Sequence, residues 1–170
     1  MANDAYRHPL ELELELEEGA DECVDSSYLC LIGKILTSKA LNKKAVTRII
    51  LGAWKTRAKI TISSWPENVF LFRFGSEEDW ALVLRNVPWS VMGNLLVLQP
   101  LSVGKAISEM DFSYCPFWVQ VNGLPMDKMT RRNGQIIANS IGKLIGVEAP
   151  TEGLLLARSF LQLRVNINIS

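Results

Sequence analysis

The run Asn68-Val69-Phe70-Leu71-Phe72-Arg73-Phe74 decides how the rest of the chain is read. It is short, rich in aromatic and β-branched residues, and follows Ser64-Trp65-Pro66-Glu67-Asn68, which has the chemistry of a hairpin loop. Lys59 to Ser63 on the other side of that loop is β-rich as well, so the two runs are predicted to pair antiparallel. Reading forward, Ser76-Glu77-Glu78-Asp79 is a capping-box pattern, and Trp80, Val83, Leu84 and Val87 give the buried face of a helix that Pro88 stops. The three acids belong to the start of that helix, where the macrodipole favours them by about 0.3–1 kcal/mol.

Reading backward, LNKKAVTRIILGAW is a second helix. Asn42 can cap it, and Val46, Ile49, Ile50, Ala53 and Trp54 recur at helical spacing over about 140° of arc. Lys44, Arg48 and Lys55 fall together on the opposite side as a basic stripe. Before this helix, Leu29-Cys30-Leu31-Ile32 and Gly33 read as a buried strand; beyond the other one, Leu95 to Leu98 reads as a strand ending near Leu101. The order strand, helix, strand, strand, helix, strand implies an α+β fold, the ferredoxin-like or RNA-recognition-motif-like arrangement of an antiparallel sheet backed by two helices.

A polar connector from Ser102 to Asp111 leads to a second unit. Phe117 to Asn122 alternates as a strand, and Thr130 to Ile145 reads as a helix ended by Gly146. Phe160 to Ile169 is a strand with Leu161, Leu163, Val165, Ile167 and Ile169 on one face, and Gln162, Arg164, Asn166 and Asn168 on a wet one. At about 60 residues this strand-helix-strand unit is marginal alone and is expected to pack on the first. Residues 28–170 are accordingly read as one domain, with a core unit at 28–101 and a packed second unit at 112–170.

The net charge of zero conceals an asymmetry. Residues 1–25 hold nine acids against one base, Arg7, which leaves 17 bases and 9 acids for the other 145 residues. Between Lys34 and Lys59 there are eight bases and no acid. A basic body with an acidic arm fits a polyanion partner, nucleic acid in the simplest case. The arm, residues 1–27 with LELELELEE at its centre, is expected to be disordered, either as a solubilising tail or as an intramolecular mimic of nucleic acid.

Other classes lack raw material. Cys23, Cys30 and Cys115 show no CxxC spacing, and His8 is the lone histidine, so neither a disulfide framework, a metal site nor a histidine-based triad is indicated. Gly33-Lys34 and Gly142-Lys143 lack the remainder of a phosphate loop. No enzyme activity, cofactor, metal or small-molecule substrate is expected. With no apolar run of membrane-spanning length and no signal-like start, the chain is read as intracellular, nuclear or cytoplasmic, without a membrane partner.

The run Pro116-Phe117-Trp118-Val119-Gln120-Val121-Asn122-Gly123-Leu124-Pro125 carries a resemblance, together with Val87-Pro88-Trp89-Ser90, Leu95-Leu96-Val97-Leu98, Ile141-Gly142-Lys143 and Phe160-Leu161-Gln162-Leu163-Arg164-Val165. In these segments the chain resembles a plant domain-of-unknown-function family that precedes CCHC zinc knuckles in LINE-type retrotransposon-derived proteins. The resemblance implies an RNA-recognition-motif-like nucleic-acid binder of mobile-element origin. Zinc binding does not carry over, because no knuckle follows the last strand before Ser170.

Ordinary RNA recognition motifs stack bases on aromatics of their first and third strands. Here the alternation sends Phe72 and Phe74 inward and leaves Val69, Leu71 and Arg73 open, with Leu31 at the matching first-strand position, so that platform is missing. An aliphatic open face asks for cover, from the second unit or another chain. Binding is instead expected through phosphate contacts from Lys43, Lys44, Arg48, Lys55, Arg57 and Lys59, with Arg131 and Arg132 as a second patch, since cations in a helix's first turn oppose its dipole. Trp54 and Trp80 follow core spacing, Trp65 and Trp89 flank prolines in loops, and Trp118 either seals the joint between the units or stacks a base. The expected partner is single-stranded nucleic acid, RNA ahead of DNA. The rival is a protein-interaction or self-assembly domain that uses the aliphatic sheet face.

Overall fold

A computed structural model of the 170-residue chain describes residues 14–17, 28–148 and 159–170. Most of the acidic arm therefore lies outside the described residues; within it, Leu14 and Leu16 are exposed.

The strand β1 (Cys30–Ile35) is followed by α1 (Lys43–Trp54), the hairpin β2 (Ile60–Trp65) and β3 (Val69–Phe74), α2 (Glu77–Arg85), and a second hairpin, β4 (Trp89–Val91) and β5 (Asn94–Pro100). These five strands form one antiparallel sheet in the order β2-β3-β1-β5-β4. Without the short β4, this is the ferredoxin-like order expected from the sequence. The second sheet is built from β6 (Tyr114–Asn122), α3 (Arg131–Ile141), β7 (Lys143–Glu148) and β8 (Phe160–Asn168) in the order β6-β8-β7.

Local chemistry starts each helix as read. Asn42 accepts from the Ala45 N–H, Ser76 from the Asp79 N–H and Thr130 from the Asn133 N–H, so each helix has one otherwise orphaned donor satisfied. Against α1 and α2 the first sheet buries an aromatic core: Trp54 meets Phe72 edge-on with centroids 4.9 Å apart, and stacks on Phe74 at 5.7 Å. Gly33 makes room for it, because a Cβ there would run into Leu98, Leu96 and Phe72. The second core is aliphatic, with Leu161, Leu163, Val165, Ala138 and Met129 between α3 and its sheet.

Several expectations are corrected. Leu31 does not face the open side: it is fully buried in the helix-side core, paired with Phe72, and Cys30, Ile32 and Lys34 take the other face. A short run of consecutive apolar residues carries no alternation to set its phase. On α1, Ile49 and Ala53 are exposed, so its buried stripe narrows to Val46, Ile50 and Trp54. The third helix does not reach Ile145; it stops at Ile141, and Lys143–Glu148 pairs with β8 instead. Gly142 lies so close to β8 that a Cβ would strike the Asn166 carbonyl oxygen, and only glycine permits that helix-to-strand step.

Trp89 and Trp65 are strand residues and not loop residues. The β4–β5 hairpin turns through Met92 and Gly93, both at positive φ (52° and 77°), a two-residue turn whose twist suits the strands. Trp89 packs edge-on to Trp54 and donates its indole N–H to the Val83 carbonyl at 2.9 Å.

The aliphatic open face of the first sheet is covered from within the chain. Cys30, Ile32, Val69 and Val97 are buried, and connector residues Ile107, Met110 and Phe112 share a groove with Lys34, Trp65 and Val69. Gln99 anchors the connector by donating to the Asp111 carbonyl at 3.0 Å. The Asp111 carboxylate in turn accepts from Ser113, which holds its pKa below the usual carboxylate range.

Candidate nucleic-acid interface

The basic stripe is held at both of its ends by polar side chains. Before α1, Asn68 at the β2–β3 turn donates to the carbonyls of Thr37 and Lys39 and accepts from the Leu41 N–H. This pins the loop that delivers Lys43 and Lys44, and Asn68 can do it because it adopts the left-handed conformation (φ 57°) that asparagine tolerates. After α1, Asp79 is only 4% exposed and accepts from the backbone N–H groups of Arg57 and Ala58 at 2.9–3.2 Å. Two of the acids at the start of α2, Glu77 and Glu78, stay on the surface; Asp79 leaves it to clamp the neighbouring loop.

Lys43, Lys44, Arg48, Lys55, Arg57 and Lys59 are all exposed. Lys43 and Lys44 flank a shallow depression with Thr47, Ile62, Ser64 and Phe70, between α1 and the outer strand β2. Lys55 is not on the helical stripe: α1 ends at Trp54, and Lys55 turns the chain in the left-handed region (φ 48°). Arg57 lies 3.9 Å from Glu78, both heads well exposed, in a shallow pocket shared with Glu77 and Arg85. Such a pair is worth about 0–1 kcal/mol and still dilutes the positive field at that end. Lys43, Lys44, Arg48, Lys55 and Lys59 have no ion pair among the described residues.

Arg131 and Arg132 open α3 on the second unit and are exposed, with no ion pair to Asp127 among the described residues. They belong to the helix layer of that sheet. Trp118 lies on its other face, because Val119 and Val121 of β6 point into the core against α3.

Trp118 is 48% exposed in the middle of β6. Its cross-strand partner is Arg164, whose guanidinium carbon sits 5.1 Å from the centre of the indole ring. A cation in this position is attracted to the ring by about 0.5–2 kcal/mol. Arg164 is not wet as its place in the β8 alternation implied. It is 8% exposed, its Nη1 is buried without a hydrogen-bond partner, and burial lowers its pKa, opposed in part by nearby Cys115. Cys115 itself is fully buried, which raises its thiol pKa.

Sequence reasoning missed Arg164 as a partner of Trp118. The signal was present in the two alternations, which place Trp118, Gln120, Gln162 and Arg164 on the polar sides of their strands. Only the register makes them neighbours.

Among the described residues no cluster of His, Cys, Asp and Glu could hold a metal ion, and no helix is long and apolar enough to cross a membrane. Residues 25–109 match the family described as "Domain of unknown function (DUF4283)". No curated protein is matched. Among solved structures, the chain is similar to the N-terminal three RNA binding domains of the yeast splicing factor Prp24, with 12% identity, TM-score 0.33, and coverage of 82% of this chain and 55% of that one. It is also similar to the Sex-lethal RNA recognition domains 1 and 2 from Drosophila melanogaster, with 17% identity, TM-score 0.31, and coverage of 81% and 85%. The chain thus spans little more than half the length of the yeast protein chain.

Proposed function

The chain belongs to the DUF4283 family, and from that premise we propose that it is a non-enzymatic module that binds single-stranded nucleic acid, RNA ahead of DNA. Phosphate contacts from α1 and the loop after it supply most of the affinity. The observation that carries this reading is the set of exposed cations at Lys43, Lys44, Arg48, Lys55 and Lys59, unpaired among the described residues and steadied from both sides by Asn68 and Asp79. Fixed, unneutralised lysine and arginine heads attract a polyphosphate backbone and release its counterions, which positions the strand without reading its sequence. Arg131 and Arg132 extend the contact. The resemblance to retrotransposon-derived proteins supports a mobile-element origin, with the RNA of such an element as the natural ligand.

The rival reading, assembly through the aliphatic face of the first sheet, loses ground because Ile32, Val69 and Val97 on that face are already buried. Anisotropy of a labelled 20-nucleotide RNA over a salt series tests the proposal. Affinity should fall steeply with salt, and reversing Lys44, Arg48 and Lys55 to Glu should flatten the slope of log K against log salt by about 2, at about 0.7 per phosphate contact on a single strand. An unchanged slope in a folded triple variant would move the contacts to Arg131 and Arg132, or sink the reading if their reversal is also silent.

A further inference from the structure

The second sheet has one face packed on α3 and one face open. The open face carries Trp118, Gln120 and Asn122 from β6 and Gln162, Arg164 and Asn166 from β8, in directly opposed or neighbouring register. A tryptophan nearly half exposed in mid-strand leaves a large apolar surface in water, and its ring carries the Arg164 guanidinium 5.1 Å from its centre. Its nearest neighbours on that face are Pro116 and the amides of Gln120, Gln162 and Asn166, with Tyr114 and Phe160 toward the two ends. An apolar protein partner would strip water from those amides without returning hydrogen bonds, at a net loss. A nucleobase matches both features, with a flat π-face for the indole and an edge of donors and acceptors for the amides.

Arg164 adds a second, independent sign. It is 8% exposed, with Nη1 buried and without an acceptor, and it keeps its guanidinium carbon 5.1 Å from the centre of the indole, a fixed cation behind the exposed ring. Lys143, exposed on β7 and paired in register with Asn166, supplies a cation at the margin of the same sheet.

We propose that the open face of the second sheet is a base-stacking platform, with an unstacked base of single-stranded nucleic acid lying on the Trp118 ring that Arg164 backs, and Gln120, Gln162 and Asn166 meeting the base edge. This deepens the function proposed above and rests on it. The basic stripe holds backbone, and this face holds bases. The arrangement is separate from the aliphatic face of the first sheet, which carries no aromatic platform at Ile32, Val69 or Leu71.

The experiment compares a 20-nucleotide single strand with an abasic phosphate–sugar strand of equal length and charge, using the full chain, Trp118→Ala and Trp118→Phe. The intact protein should favour the base-bearing strand by about 5- to 150-fold, the range for a single stacked base. Trp118→Ala should erase that preference while leaving abasic affinity and salt slope unchanged, and Trp118→Phe should keep most of it. Equal binding of the two strands by the intact protein, or a preference that survives Trp118→Ala, would overturn the platform and leave phosphate binding standing. Absence of binding to either strand by the folded protein would overturn both, and would leave Trp118 as a protein contact.

Discussion

The two sheets start out alike and are used differently. Each opens with strand, helix, strand, strand, and each sets the third of those strands between the other two, as β2-β3-β1 in one case and β7-β8-β6 in the other. The first then adds α2 and the β4–β5 hairpin, buries a tryptophan and phenylalanine core, and has Cys30, Ile32, Val69 and Val97 of its other face buried within the chain, with connector residues beside them. The second has three strands and an aliphatic core among the described residues, and its other face carries amides, Tyr114 and an exposed tryptophan. Connectivity therefore does not decide which sheet face is covered. The side chains on that face separate the two: aliphatic residues recruit cover, whereas amides and a cation-backed indole are left at the surface.

The comparison implies that the first sheet supports the second, and the most damaging test is Phe72→Ala. Deleting this fully buried ring should cost about 3–5 kcal/mol. Denaturant unfolding followed by far-ultraviolet circular dichroism should then show one transition at a lower midpoint, with the second sheet lost alongside the first. A second transition left at its original midpoint would show that the smaller sheet stands alone.

A smaller effect is expected at the joint between α2 and the basic loop. Asp79→Ala leaves the Arg57 and Ala58 N–H groups without their buried acceptor and should cost about 1–3 kcal/mol. Chemical denaturation gives the stability loss, and hydrogen exchange should show faster protection loss at residues 57 and 58 than in β6 or β8. Equal loosening of both sheets would argue against a local role. The smallest effect lies in the second unit, where Thr130→Ala removes the cap of α3 and should cost about 0.5–2 kcal/mol, read as a lowered midpoint rescued by Thr130→Ser. A silent Thr130→Ala would mean that packing of Ala138 and Gly134 on the sheet, and not the cap, places the helix.

Much of this was legible in the residues. Asn42, Ser76 and Thr130 mark the helix starts because short polar side chains satisfy nearby backbone donors, a local effect. Phe70, Phe72 and Phe74 are all buried, and the alternation from Phe72 to Phe74 held its phase. What escaped depended on partners distant in sequence. The phase of β1 put Leu31 on the helix side, although a run of apolar residues looks alike from either face. Lys143–Glu148 extends the periodicity of α3 in sequence, yet β8 offers it a backbone to pair with, and ladder hydrogen bonds outweigh the small propensity difference. Asp79 looks like one of three equivalent acids until α2 docks beside residues 57 and 58.

The sequence by itself determined the α+β class, the three helix starts, the hairpin about Asn68 and the cations of α1, because each follows from spacing and capping within a few residues. Only the tertiary structure decided that the open face of the first sheet is buried within the chain, that Asp79 is a clamp, and that Arg164 lies over Trp118. Those three follow from register and docking between segments tens of residues apart, and alternation within a strand states which residues share a face but not which strand lies beside it.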